Sequence, residues 1–355
     1  MEKTRSVMAR MLVLALTVAA VDSGRSSASE ASALQLARAL ARSVPSPEKT
    51  TGGEFEGHEF WEKNQPLFEA ARLEYGVRHA ALYAFDEHEQ IFVEPALRAA
   101  VSELHAAGAA ADESSLRRLL APTSVDGVLG FNLFTARFRE MLLEELEHLE
   151  ASGIPLRRPN GMNRFGAILE FLGFAHFLDR LTARYVRPMA QMLFPDLVGP
   201  ADALEHYGFV VRYKLGEDLE LAEHTDASVV TLNVCLGKDF EGGELTFKGT
   251  RMVDNRPKEV PPKQLRITPG MAIIHRGGQY HSAKPLVSGE RINMIVWLHG
   301  AHGVVRVAPH SPEGQTTAAT RWQDASGDHR AETMLSPTPS EDTDTRRATR
   351  DDGEL

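Results

Sequence analysis

From Glu54 to Phe194 the apolar residues recur mostly at the 3.6-residue spacing of α-helices. The clearest face is Phe134, Phe138, Met141, Leu142, Leu146 and Leu149, with Arg137, Arg139, Glu144 and Glu147 on the expected solvent side. Gly153 and Pro155 end that helix. A second helix is expected through Leu178, Leu181, Tyr185, Met189 and Met192. It should kink at Pro188, which lacks a backbone N–H, and stop at Pro195. After Asp202 the texture changes to short β-branched and aromatic runs: Phe209–Leu215, Ser228–Gly237, Glu244–Lys248, Met271–His275 and Arg291–Leu298. Strand follows strand with no helix between, which favours a sandwich or barrel over a parallel sheet. The expectation is an α+β chain: a helical support region over 51–200 packed on a β-rich core over 201–305.

The two ends are different in kind. Lys3, Arg5 and Arg10 precede an apolar run from Met11 to Val21, followed by Ser23, Gly24 and Ser26. That order suits a signal for the secretory pathway, with the endoplasmic reticulum lumen as the expected compartment. An organelle transit peptide is the alternative, because Arg38 and Arg42 follow among many Ala and Ser residues. The apolar run is shorter than the roughly 20 residues a membrane span needs, so no stable span is expected. Residues 1–50 therefore read as targeting segment and linker, the linker running from Ser43 towards Gly52-Gly53. The stretch 306–355 is acidic, rich in Ser, Thr and Pro, and has too little apolar content to offset its ordering entropy. It is expected to be disordered. Its last four residues, Asp352-Gly353-Glu354-Leu355, read better as an arbitrary acidic end than as a retrieval signal.

Composition narrows the chemistry. The chain has 355 residues, 43% hydrophobic and 25% charged, as a globular protein does. A net charge of −10 argues against nucleic acid as a partner, since phosphate binding needs a basic surface. Cys235 is the single cysteine, which excludes a disulfide framework and a Cys-rich zinc site. It is expected to be a small buried core residue. Any metal must be held by His, Asp and Glu.

One constellation meets that requirement. His224 and Asp226 lie two residues apart, so in an extended segment they share a face and can reach one ion. His281 is the expected third ligand, with His275, six residues earlier, as its rival. Two imidazoles and one carboxylate form the facial triad of non-haem Fe(II), leaving adjacent positions for a co-substrate and O2. Arg291, ten residues after His281, opens a strong strand. Its guanidinium suits a two-pronged pair with the far carboxylate of a dicarboxylic co-substrate. Tyr213 can add a hydroxyl hydrogen bond, and Asn233 shares a face with Thr231 and Cys235. Asn160 and Asn163 fit either a turn or the rim of the cavity.

Tyr213, His224-x-Asp226, Gly242-Gly243-Glu244-Leu245, His281 and Arg291 together resemble the double-stranded β-helix (jelly-roll) core of Fe(II)- and 2-oxoglutarate-dependent dioxygenases of the prolyl 4-hydroxylase superfamily. Arg158-Pro159-Asn160-Gly161-Met162-Asn163, Asp218-Leu219-Glu220-Leu221, His275-Arg276-Gly277-Gly278-Gln279 and Ala283-Lys284-Pro285-Leu286 are similar to the type named 2-oxoglutarate and iron-dependent oxygenase domain-containing protein 2. The resemblance spans roughly Leu133 to His302. It implies that His224, Asp226 and His281 bind Fe(II), that Arg291 binds 2-oxoglutarate, and that L-ascorbate keeps the iron reduced. It also implies O2-dependent hydroxylation of a C–H bond with release of succinate and CO2, the expected acceptor being a protein side chain of the prolyl or lysyl type, with a small molecule as the alternative. Most prolyl 4-hydroxylases carry lysine where this chain has Arg291, a departure from the collagen-type pattern. Two other classes compete: an inactive jelly-roll binding module, and a zinc hydrolase using the same ligands. The intact triad and Arg291 disfavour both.

Overall fold

The computed structural model describes residues 32–41, 58–107, 113–199, 205–249, 252–253, 256–257 and 261–300. The apolar run at 11–21, the Ser43–Gly53 linker and the tail at 306–355 lie outside these residues. Within the stretch read as leader, Ala33–Leu40 forms a helix, α1, capped by the Ser32 hydroxyl and by Gln35. It packs on α2 (His58–Tyr75), whose Glu74 accepts hydrogen bonds from the Ala33 and Leu34 amides. There follow α3 (Phe85–Phe92), α4 (Pro95–Ala107), α5 (Ser114–Leu119), α6 (Ala136–Ala151), α7 (Ala175–Leu181) and α8 (Arg187–Leu193).

The helix with the clearest apolar face is α6, started by Thr135, whose hydroxyl accepts from the Phe138 amide at 3.1 Å. Phe138, Met141, Leu142 and Leu149 are buried as their spacing requires. The same helix also buries Glu145, which the apolar pattern does not foretell. Its carboxylate accepts from the amides of Arg78 and His79 at 2.9 and 2.8 Å and from the Tyr83 hydroxyl at 3.1 Å. Arg139, expected in solvent, bends back to donate to the Leu236 carbonyl. The kink expected at Pro188 takes the form of a π-helical turn, Thr182–Val186, between α7 and α8.

The first half is not purely helical. It contributes β1 (Ala121–Pro122), β2 (Leu129–Asn132) and β3 (Gly166–Ile168), runs too short for a period to show. The remaining strands are β4 (His206–Lys214), β5 (Leu221–His224), β6 (Val230–Gly237), β7 (Phe240–Gly242), β8 (Leu245–Phe247), β9 (Met252–Val253), β10 (Arg256–Pro257), β11 (Lys263–Leu265), β12 (Met271–Arg276), β13 (His281–Ala283) and β14 (Leu286–Leu298). All pairings are antiparallel. The major sheet runs β1-β2-β12-β6-β14-β4-β3, with β7 on the bulged start of β14, and the minor sheet runs β11-β8-β13-β5. The fold is the expected α+β arrangement, a jelly-roll core with helices on one face of its major sheet.

Strand alternation gives that sheet two chemically different faces. Val230, Leu232, Val234 and Leu236 of β6, with Ile292, Met294, Val296 and Leu298 of β14, share one apolar core with Phe138, Phe177 and Tyr185 of the helices. The intervening residues, Thr231 and Asn233 of β6 and Arg291, Asn293, Ile295 and Trp297 of β14, line a cavity on the other side. The helices thus brace the sheet whose opposite face carries the polar groups.

Candidate metal centre

His224 ends β5 and His281 begins β13, and the antiparallel register sets them directly opposite each other. Their ring centres are 4.3 Å apart. Asp226 follows β5, where its amide donates to the Gly277 carbonyl at 2.9 Å. Only glycine fits at 277, because a Cβ there would lie 2.1 Å from the Ser228 carbonyl oxygen. One ligand atom from each of His224, Asp226 and His281 lies within 4.8 Å of the others. Asp226 Oδ1 is 3.6 Å from His224 Nε2 and 3.8 Å from His281 Nε2. Among the described residues this is the one such convergence of His, Cys, Asp and Glu side chains.

Hydrogen bonds outside the three ligands orient each of them. His224 Nδ1 lies 2.8 Å from the Ala222 carbonyl and His281 Nδ1 lies 2.9 Å from the Gln279 carbonyl. A carbonyl only accepts, so each Nδ1 carries the hydrogen and each Nε2 presents its lone pair to the centre. Thr231 Oγ1 donates to Asp226 Oδ2 at 2.6 Å, which leaves Oδ1 as the free carboxylate oxygen. Ser228 Oγ lies 2.8 Å from the same hydroxyl and, with that proton committed, donates to it.

Electrostatics agree with this donor set. Burial pushes the His281 imidazole down to about 3, so it is neutral at physiological pH. Burial works the other way on Asp226, and positive charge at His281 and His224 outweighs it and holds the carboxyl below its usual range, a role that a divalent cation takes over when both imidazoles are neutral ligands. Neutral nitrogens beside an ionised carboxylate are the protonation state a divalent metal requires. The rival His275 is fully buried on β12, opposite Thr231, and its Nδ1 faces the Arg276 carbonyl at 2.8 Å. It stacks edge-on against His281 at 5.3 Å and contributes no atom to the convergence.

The cavity over this centre has a volume of about 480 Å³ including its open mouth. At the far end of the β14 row, Arg291 is 2% exposed. It donates to the Gly243 carbonyl, and its guanidinium carbon sits 4.3 Å over the Tyr213 ring. Gly243 holds a φ of +67°, a left-handed turn that aims that carbonyl at the guanidinium. Arg291 Nε has no partner, and no carboxylate among the described residues pairs with the charge. A buried cation left this way is costly unless an anion completes it. A bound carboxylate would do so.

The six residues expected from the sequence to hold metal or co-substrate all reach this cavity: Tyr213, His224, Asp226, Asn233, His281 and Arg291 line it. Asn160 and Asn163 fill both roles left open for them, since they form a turn and line the cavity. Asn293 and Trp297 were not singled out, although counting alternate residues from Arg291 reaches both. Asn293 Nδ2 donates to Asn233 Oδ1 at 2.6 Å, joining the two amides. Cys235 is fully buried in an apolar cluster with Val125, Val128 and Ile273, as a core residue should be.

A family model described as an OGFOD2-like domain matches residues 72–199. The Danio rerio 2-oxoglutarate and iron-dependent oxygenase domain-containing protein 2 is 36% identical over 258 residues, 70% of this chain and 73% of that protein. The chain belongs to the 2-oxoglutarate and iron-dependent oxygenase domain-containing protein 2 family. The Arabidopsis thaliana member ICU11 is 41% identical over 187 residues, 50% of this chain and 46% of that protein. The chain thus spans about half the length of several curated relatives it matches. A more distant relative, the human procollagen-lysine,2-oxoglutarate 5-dioxygenase 1, is 28% identical over 48% of this chain and 24% of that protein. The family model begins well before Leu133, where the motif resemblance starts, so the helical half from residue 72 belongs to the family as well. Its lack of catalytic-looking spacing hid that. None of the described helices is long and apolar enough to cross a membrane.

Proposed function

We propose that this member is an Fe(II)- and 2-oxoglutarate-dependent dioxygenase that hydroxylates a C–H bond. The observation that carries the reading is a converging two-histidine, one-carboxylate set in the same cavity as a buried arginine that no acid among the described residues neutralises. His224, Asp226 and His281 would hold Fe(II), with Nε2, Oδ1 and Nε2 as the atoms free to do so. Arg291 pairs with the far carboxylate of 2-oxoglutarate, and Tyr213 donates to the same group. Asn233, joined to Asn293, borders the co-substrate. When bound, iron and 2-oxoglutarate supply the oxidising chemistry: O2 is consumed, succinate and CO2 leave, and C–H becomes C–OH. The protein's share is to fix the ligands, orient the co-substrate and screen the centre from water with Phe209, Val211, Leu245 and Ile295. L-ascorbate serves as the reductant that restores Fe(II).

The acceptor proposed is a protein side chain of the prolyl or lysyl type, by analogy with the superfamily and with the procollagen-lysine relative. Incubation with Fe(II), 2-oxoglutarate, ascorbate and peptide mixtures in air should release succinate and give a +16 Da product, and His224→Ala should abolish both. No succinate from the wild-type protein under those conditions, with or without peptides, overturns the reading.

A further inference from the structure

The direction of every hydrogen bond in one short chain of contacts can be read without ambiguity. Asn160 Oδ1 lies 2.9 Å from the Met162 amide and 2.7 Å from the Asn163 amide. A backbone N–H only donates, so this atom is the acceptor and the other end of Asn160 is the NH2 group. That NH2 donates to Asn163 Oδ1 at 3.2 Å. Asn163 Nδ2, orientated in turn, donates to the Tyr213 hydroxyl oxygen at 3.2 Å. Asn163 and Tyr213 are both buried, 2% and 3% exposed.

The consequence falls on the Tyr213 hydrogen. Its oxygen is an acceptor for Asn163, and its other neighbour, the Arg291 guanidinium, is a pure donor. Neither can take the phenolic proton, and no acceptor for it is present among the described residues. Burial first of all raises the phenol's pKa, so the proton stays on at physiological pH. It is left for a ligand in the cavity that Asn160, Asn163, Tyr213 and Arg291 all line.

We propose that the Asn160–Asn163 turn is a positioning device that aims the Tyr213 O–H, beside the Arg291 guanidinium, at the far carboxylate of the co-substrate. This rests on the reading of the site given above. It adds a segment of the helical half, outside the jelly-roll strands, to the selection of a dicarboxylate over shorter 2-oxo acids. The turn acts through Tyr213: the hydrogen-bond partners of Asn163 are Asn160 and Tyr213, neither of them a candidate metal ligand.

Asn163→Asp tests it, because the replacement is nearly isosteric but accepts where asparagine donates. The phenolic proton then turns to the new carboxylate and away from the cavity. Binding is measured anaerobically with Fe(II) and two probes: 2-oxoglutarate, and oxalate, which can chelate the metal but has no far carboxylate. Asn163→Asp should weaken 2-oxoglutarate by about 10- to 100-fold, the worth of a hydrogen bond to a charged group. Oxalate binding should change less than about twofold. Asn163→Ala should move 2-oxoglutarate in the same direction, and in a Tyr213→Phe background neither change should add a further loss. Melting curves of each variant exclude unfolding as the cause. Wild-type protein that binds both probes, with Asn163→Asp and Asn163→Ala equal to it, overturns this inference alone. So does an equal loss of both probes. Wild-type protein that binds neither probe overturns the reading of the site and this inference with it.

Discussion

Arg291 and Tyr213 stand directly opposite each other on the antiparallel strands β14 and β4, with the guanidinium carbon 4.3 Å from the centre of the tyrosine ring. The ring covers one face of a charge that donates to the Gly243 carbonyl and pairs with no carboxylate among the described residues. Stacking of this kind supports a cation without neutralising it. The charge therefore remains available to an incoming carboxylate, at the expense of the ligand-free fold.

Arg291→Met separates those two effects. It should weaken 2-oxoglutarate binding by about 10- to 100-fold, the loss of a charged hydrogen-bond donor. The ligand-free protein should be no less stable, and more stable by about 1 kcal/mol, since a buried charge without an ionic partner has been removed. Saturating 2-oxoglutarate with a divalent metal should raise the melting temperature of the wild type and not of the variant. Calorimetry with and without the ligand checks both halves.

Thr231 would tune a bound metal through Asp226. Thr231→Val keeps the shape and β propensity but removes the hydrogen bond that holds Asp226 Oδ2 at 2.6 Å. Metal affinity should fall by about 10- to 100-fold, as is usual when an outer-shell partner of a ligand is lost. Thr231→Ser should retain most of it. Titration of the metal-free protein with Mn(II) or Fe(II) under nitrogen gives the comparison.

How far the sequence carried the reader depended on element length. The long strands β4, β6, β12 and β14 fall close to their expected positions, because each shows several alternations. Strands β5 and β13, which carry His224 and His281, are four and three residues long and show no period at all. The metal residues were legible instead through side-chain chemistry and the His-x-Asp spacing. Asn163 was ambiguous because its partner Tyr213 lies 50 positions away, and a single chain does not reveal that meeting. Glu145 was invisible for a related reason: its three donors come from a loop more than 60 positions upstream.

Glu145 should be the costliest polar residue in the helical half. Glu145→Ala leaves two backbone amides and the Tyr83 hydroxyl without their acceptor. A loss of about 3 kcal/mol is expected, with Glu145→Gln losing less because one acceptor oxygen survives. Urea unfolding of the ligand-free variants measures it, and metal binding at low temperature should be retained in both.

Cys235 should be silent. Its side chain is fully buried and burial pushes the thiol up to about 11, above the roughly 8.5 of an exposed cysteine. Native protein at pH 8 should therefore resist a thiol reagent that labels the denatured chain fully. The folded state holds this proton more tightly than the unfolded one. Its contribution to stability is thus present below the ordinary thiol range and declines as pH rises towards 11.

The central claim is that His224, Asp226, His281 and Arg291 form one site for Fe(II) and 2-oxoglutarate together. Its most direct test is an anaerobic titration of the wild-type protein with 2-oxoglutarate in the presence of Fe(II), followed by visible absorption. A weak charge-transfer band should appear only when both are present, saturate, and be absent in His224→Ala. A band that never forms in the wild type, or that forms equally well in His224→Ala, would contradict it.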